Sequence, residues 1–242
     1  MRNPRIYTPQ PLTVGETLAL DDNAANHVAR VLRMRAGDEL RLFNGDGQDY
    51  NAVLADVGKR TVVVQIAEQR PAAAESPLKL HLGQVMSRGD RMDYAVQKAT
   101  ELGVHRITPL HSERCEIRLS GDRQEKREGH WQQVVISACE QCGRAVVPEI
   151  APIQRLSDWI AAVEADIKLV LHHHCAIPLE QRAPPASVAL LIGPEGGLTE
   201  PEVAAAQNAG FLPVAFGTRI FRTETAPVAA LAVLQWLWGD FR

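Results

Sequence analysis

Lysine is scarce in this 242-residue chain: of 26 Lys and Arg residues only five are Lys, at positions 59, 79, 98, 126 and 168. Overall positive charge is lacking too. The formal net charge is −3, so no global field attracts a polyanion, and any nucleic acid must be held by local groups and by shape. The arginine bias permits an RNA partner, because the planar guanidinium fork suits phosphates and base edges. GC-rich coding produces the same bias. Long apolar runs are missing as well. The longest, Ala226–Trp238, is interrupted by Gln235 and falls short of the roughly 20 residues of a membrane span. Met1–Leu12 has no apolar core flanked by a cleavage site, so no signal peptide is read and a cytoplasmic protein is expected. Its four cysteines (Cys115, Cys139, Cys142, Cys175) are then expected to be reduced. No G-x-G-x-x-G and no Gly-Lys-Ser/Thr follows any strand, which argues against a dinucleotide enzyme and an NTPase.

What is present is an ordinary folded composition, 45% hydrophobic and 23% charged, which argues against disorder. Residues 1–70 read as β-rich. Leu40–Phe43 and Tyr50–Val57 flank Asn44-Gly45-Asp46-Gly47, a strong hairpin signal, and Thr61–Ala67 favours strand. One helix interrupts this unit, Ala24–Met34, capped by Asp22 or Asn23 and ended by Gly37. Several short strands with tight turns predict a small barrel. Residues 71–77, with two prolines and no periodicity, form a linker.

From 78 to 242 strands alternate with helices, the pattern of an α/β domain with a parallel sheet. Strands are expected at Leu78–Val85, Arg106–Leu110, Lys168–Leu171, Ser187–Ile192 and Phe211–Phe216. Helices are expected at Arg91–Leu102, Glu125–Cys142, Leu156–Ala165, Glu200–Ala209 and Ala226–Trp238. Thr199 with Glu202 has capping-box spacing.

Two segments after strands carry chemistry. Leu190–Thr199 leaves a buried strand through Gly193-Pro194-Glu195-Gly196-Gly197 and enters a capped helix, where open α/β sheets bind ligands. A plain β-to-α turn accounts for the same residues equally well. Phe216–Ala226 packs two Arg and one Glu among Ile220, Phe221 and three threonines. A ligand-lining loop has that mixture, apolar members covering a ring and charged ones orienting polar groups.

Ile192–Gly197 together with Gly217–Ala226 resembles the cofactor half of the SPOUT methyltransferases, specifically the bacterial family that methylates N3 of a decoding-region uridine in small-subunit rRNA. His27–Arg33, Val96–Gly103 and Ser137–Arg144 match the same family in order. Ala138 is an extra residue in the last stretch, and Phe221 stands where Leu is commoner. The resemblance implies a PUA-like β-barrel that docks RNA, ahead of a SPOUT domain with a deep trefoil knot. It implies S-adenosylmethionine bound between three loops, here Leu171-His172, Ile192–Gly197 and Phe216–Ala226. Cofactor-binding positions are then Leu171, His172, Ile192, Gly193, Pro194, Glu195, Gly196, Phe216, Gly217, Ile220, Phe221, Thr225 and Ala226. It further implies a homodimer using the closing helix with Trp236 and Trp238, and 16S rRNA within the small subunit as partner.

On that footing Arg219 or Arg222 is expected to bind the base carbonyls and steady the imide anion, and Glu224 to take the N3 proton or hold an Arg. Glu101, Glu140 and Arg144 are secondary candidates, with helix-surface ion pairs the plainer reading. Arg144 is also a candidate RNA contact. In the first domain His27, Arg30 and Met34 share a helical face with Arg33 beside them and Arg35 beyond, a basic stripe for rRNA phosphates. Val28, Val31 and Leu32 take the other side. No metal is expected: the neighbouring side chains of His172-His173-His174-Cys175 point to opposite faces of a strand end, and Cys139-x-x-Cys142 lacks a second pair. The competing readings are a SPOUT enzyme acting on another rRNA or tRNA position and a ribosome assembly factor without catalysis.

Overall fold

Alternating apolar residues bounded by turn formers build the first sheet. The computed structural model describes residues 3–58, 61–172, 179 and 183–241. It divides into two units, Met1–Glu75 with Ile136–Val147, and Ser76–Val135 with Pro148–Arg242.

In the first unit β1 (Arg5–Tyr7), β2 (Thr17–Ala19), helix α1 (Asp22–Asn26), β3 (Glu39–Phe43), β4 (Gln48–Val57) and β5 (Val62–Pro71) follow one another. The sheet order is β1-β3-β4-β5-β2, with β1 parallel to β3 and the other pairs antiparallel. Leu40, Leu42, Ala52, Leu54, Val62, Val64 and Ile66 fill one core with Ile6 and Val28, as period-two alternation requires. The expected hairpin joins β3 to β4. Asn44 accepts from the Asp46 amide (3.2 Å) and Asp46 from the Gln48 amide (2.8 Å), so the turn is held by its own side chains.

The helix of this unit departs from expectation. Its cap is Asp21, not Asp22 or Asn23: the Asp21 carboxylate accepts from the Asn23 and Ala24 amides at 3.0 and 3.2 Å. Thr8 Oγ1 donates to its other oxygen at 2.9 Å, which places the cap early. After five α-helical residues the backbone widens into a π turn, His27–Val31, where the Leu32 amide reaches the His27 carbonyl at 2.9 Å. The extra residue per turn rotates the following side chains. Val31 and Leu32, expected inside, are 64% and 39% exposed, and Val28 alone of the three is buried.

Arg5 is buried where two segments of this unit meet. It donates to Asp49 (2.7 Å) and to the Cys139 carbonyl (2.7 Å), and its guanidinium lies 4.4 Å over the Phe43 ring.

The second unit comprises β6 (Lys79–Val85), α2 (Arg91–Glu101), β7 (Val104–His111), α3 (Asp122–Cys142, its last turns in the first unit), β8 (Glu149–Ile150), β9 (Gln154–Arg155), α4 (Leu156–Ala162), β10 (Ile167–Leu171), β11 (Ser187–Ile192), α5 (Glu200–Asn208), β12 (Phe211–Val214) and α6 (Thr225–Trp238). The sheet runs β12-β10-β11-β6-β7-β8, with β9 also on β7, and every pair is parallel. Val188–Ile192 is buried throughout, the continuous apolar run of a strand covered on both faces. The expected capping box opens α5: Thr199 and Glu202 bond each other's backbone amides. β8 and β9 are too short to leave a pattern in the sequence.

The chain visits β10, β11 and β12 in that order, yet β10 lies between the other two. Connections leaving β11 and β12 therefore start on opposite sides of β10, and a crevice opens at the carboxyl ends of these strands.

Candidate active site

A cavity of about 640 Å³ occupies that crevice. Its wall is formed by Leu171 and His172 at the end of β10, by Ile192–Leu198 and Glu200 from the last residue of β11 onward, and by Ala215–Gly217, Arg219–Glu224 and Ala226 after β12. Arg91 of α2 and Arg114, beyond the end of β7, complete it.

Each loop is shaped locally. A Cβ on Gly193 would stand 3.1 Å from Leu198 Cγ and 3.3 Å from the Leu198 amide nitrogen, so any larger residue there makes Leu198 give way by a few tenths of an ångström. After β12, Gly217 takes φ +82°, and the Thr225 and Ala226 amides both donate to the Arg222 carbonyl at 2.9 Å, which starts α6. The two loops are joined by Thr223, whose hydroxyl donates to the Gly193 carbonyl at 2.8 Å and accepts from buried Gln84 of β6 at 3.2 Å.

Charged groups are ordered around this frame. Glu195 accepts from Arg91 (2.8 Å) and from the Arg88 amide (3.2 Å). Partial burial pushes its carboxyl up, but its own amide, Arg91 and the Arg88 amide outweigh that and hold it below the usual carboxylate range. Arg91 Nε also lies 4.0 Å from Glu224, and Arg114 donates to the Gly196 carbonyl at 2.9 Å. Arg219 and Arg222 are exposed. The cavity thus offers apolar surface from Leu171, Ile192, Phe216 and Phe221, with both signs of charge at its edge.

Arg219, Arg222 and Glu224 all line it, as do the expected cofactor positions except Thr225, which sits exposed at the first residue of α6. Sequence reasoning missed Arg91, Arg114, Leu198, Glu200 and Ala215, and it placed Thr223 in a lining loop without singling it out. Arg114 had one usable signal, its place just past the carboxyl end of a parallel strand.

The secondary candidates are engaged elsewhere. Glu101 pairs with Lys98 at 2.7 Å. Glu140 accepts from the Tyr7 amide (3.0 Å) and faces His27 Nδ1 at 3.4 Å; burial raises its carboxyl against the pull of that amide and of His27. Arg144 donates to both oxygens of Glu75, and its side chain is 10% exposed. Of the stripe, Arg30, Arg33 and Arg35 are exposed and His27 is half-buried. Among the described residues no three His, Cys, Asp or Glu side chains converge as metal ligands, and no helix is long and apolar enough to cross a membrane. His173, His174 and Cys175 lie outside the described residues. Burial pushes the Cys139 thiol up to about 12 and raises that of Cys115, so neither is a ready thiolate.

Comparison with known proteins decides the family. The model of the RNA methyltransferase domain matches residues 74–235, and that of the RNA methyltransferase PUA domain matches residues 20–67. The ribosomal RNA small subunit methyltransferase E of Buchnera aphidicola is 35% identical over 99% of this chain and 98% of its own length. The chain belongs to the small subunit methyltransferase E family. Two similar proteins of known structure align along its whole length. A ribosomal RNA small subunit methyltransferase E from Neisseria gonorrhoeae, bound to S-adenosyl methionine, is 42% identical with a TM-score of 0.93, covering 100% of both chains. A putative methyltransferase from Legionella pneumophila, in complex with the same cofactor, is 41% identical with a TM-score of 0.97 at the same coverage. Membership of this family carries the α/β class, the PUA-like first domain and RNA methyltransferase activity.

Proposed function

We propose that this chain transfers a methyl group from S-adenosylmethionine to N3 of uridine 1498 in 16S rRNA of the small subunit. The observation carrying this reading is the closure of the loops after β11 and β12 onto one cavity through the Thr223–Gly193 bond. The donor set fits the cofactor. Leu171, Ile192, Phe216 and Phe221 offer surface for an aromatic base, while Glu195, Glu200 and Glu224 suit its cationic groups and Arg91 and Arg114 its carboxylate. The Legionella and Neisseria relatives that hold this cofactor support the assignment.

When bound, S-adenosylmethionine supplies a methyl carbon made electrophilic by the sulfonium, whose sulfur keeps the C–S electron pair. The protein's task is the base. Uridine N3 carries a proton between two carbonyls and is a poor nucleophile until it is lost. Glu224 accepts that proton, and Arg91 beside it holds the carboxylate in place. Arg222 and Arg219 donate to the O2 and O4 carbonyls and stabilise the imide anion. Holding N3 in line with the methyl carbon contributes up to about 7–11 kcal/mol. His27, Arg30, Arg33 and Arg35 of the PUA-like domain take rRNA phosphates. The remaining expectations belong to this reading: domain limits 1–70 and 78–242, a knotted C-terminal segment, a cytoplasmic location, and a homodimer through α6, whose Trp236 is 59% exposed.

Unmodified small subunits incubated with methyl-labelled S-adenosylmethionine test it, with the product mapped by mass spectrometry. Label at N3 of that uridine is expected. Label elsewhere assigns another target, and binding without label leaves an assembly factor.

A further inference from the structure

A second cavity, about 590 Å³, lies in the catalytic unit where the carboxyl ends of β7 and β9 meet α4 and α5. His111 and Arg155 are register partners on those strands and both line it, with Ser112 next in the chain. Its floor holds two buried polar atoms without a hydrogen-bond partner among the described residues: the hydroxyl of Ser112, a residue 6% exposed, and His111 Nδ1. Buried polar groups in folded proteins are nearly always paired, and an unpaired one costs free energy. Burial, with Arg118 nearby, lowers the His111 pKa, so its imidazole is neutral and able to donate or accept. Leu156 and Ile160 form an apolar wall, and exposed Arg118 and Arg155 stand at the edge, with no carboxylate paired to either among the described residues. The two carboxylates here are engaged: Glu202 caps α5 and accepts the Glu113 amide at 2.8 Å, and Glu113 meets the Thr199 hydroxyl at 3.4 Å.

This pocket and the first share a wall. Glu113 lines one and Arg114, its neighbour, the other; Glu200 faces the first cavity, Pro201 and Glu202 the second.

We propose that the second cavity binds a nucleotide of the substrate RNA beside the methylated one, its phosphate at Arg118 and Arg155 and its base on the apolar wall over Ser112 and His111. This rests on the reading of the chain as an RNA-modifying enzyme. A single strand splayed over a protein places successive bases in separate pockets, and its phosphates follow arginines. A site with cations outside, apolar wall and orphan polar atoms inside matches that ligand.

Binding to unmodified small subunits and to a fluorescein-labelled single-stranded hexauridylate is measured for the wild type, Arg118→Gln with Arg155→Gln, Ser112→Ala, and a charge-matched control, Arg123→Gln with Lys126→Gln on exposed α3. The paired arginine variant is expected to bind both RNAs about tenfold more weakly, with a salt dependence shallower by about 0.7 per lost phosphate contact. Ser112→Ala loses several-fold with no change of charge, the control stays within about twofold, and calorimetric S-adenosylmethionine affinity is unchanged in all. Equal losses in the control and the paired variant overturn the proposal, as does wild-type binding by both the paired variant and Ser112→Ala, or no RNA binding by the wild type. Wild type that binds subunits but transfers no methyl group sinks the enzymatic reading alone, and the binding comparison still decides the cavity.

Discussion

Thr223 and Gly193, thirty residues apart, are joined by a 2.8 Å hydrogen bond from hydroxyl to carbonyl that ties one glycine-bearing turn to the other. The bond is partly buried, with Thr223 itself buried, and Thr223 also receives the amide of Gln84. Thr223→Val keeps shape but strands the Gly193 carbonyl, which costs about 1–3 kcal/mol. Urea titration should show that loss, and calorimetry a drop of about tenfold in S-adenosylmethionine affinity as the loops separate. Unchanged cofactor affinity would mean the tie does not shape the site.

Gly83 of β6 tests packing at the sheet. A Cβ there would meet the Trp159 ring at 2.5–2.7 Å, and that ring is confined by His81 on one side and Phe211 on another. Gly83→Ala therefore overpacks the core and should destabilise by about 1–3 kcal/mol, read as a lowered urea midpoint. Adding Trp159→Phe, which frees space, should recover part of it; a simple sum of the two losses would show that the ring is not the obstacle.

His81 makes stability depend on pH. Its Nε2 lies 2.8 Å from the Thr108 hydroxyl and accepts from Trp159 Nε1 at 3.4 Å, an arrangement that needs a neutral ring. Burial, aided by the Arg106 charge, lowers its pKa to about 4. Between an unfolded value of about 6.5 and that folded value, the unfolded chain takes a proton that the folded chain refuses. The contribution is complete above pH 6.5 and is lost as pH falls towards 4, at most about 3 kcal/mol. His81→Gln should flatten the stability curve across this window by about one proton; parallel curves for variant and wild type would assign the acid sensitivity elsewhere.

How much of this was legible beforehand depended on whether the signal was local. The turns at 193–197 and 217–225 could be read because each follows an apolar strand and precedes a helix, a grammar that already points to the carboxyl edge of a parallel sheet. Arg91 could not, because it reaches the cavity through β6, the neighbour of β11, and Arg114 had only its place past the end of β7, one strand further out; strand order leaves no trace in periodicity. The helix at 22–31 misled for a different reason. A π turn inserts one residue without any marker in composition, so a 3.6-residue wheel put Val31 and Leu32 inside when they face out. Arg144 looked available on a motif; its partner Glu75 is 69 residues away and invisible to local reading.

Arg222 separates catalysis from binding most cleanly. Its backbone carbonyl anchors the start of α6 by accepting the Thr225 and Ala226 amides, and Arg222→Ala leaves that carbonyl in place, so the loop should persist. The lost guanidinium is assigned to the anion that forms only as N3 gives up its proton. Removing a donor of that kind costs about 10²–10³ in kcat. The variant should therefore bind S-adenosylmethionine within about threefold of wild type, keep its KM for small subunits, and lose rate at saturation of both. Because the anion forms more readily at higher pH, part of the missing rate should return as pH rises, and Arg222→Lys should retain an intermediate rate. The opposite pattern, cofactor affinity abolished and full rate restored by excess cofactor, would make Arg222 a cofactor ligand and leave Arg219 as the carbonyl donor.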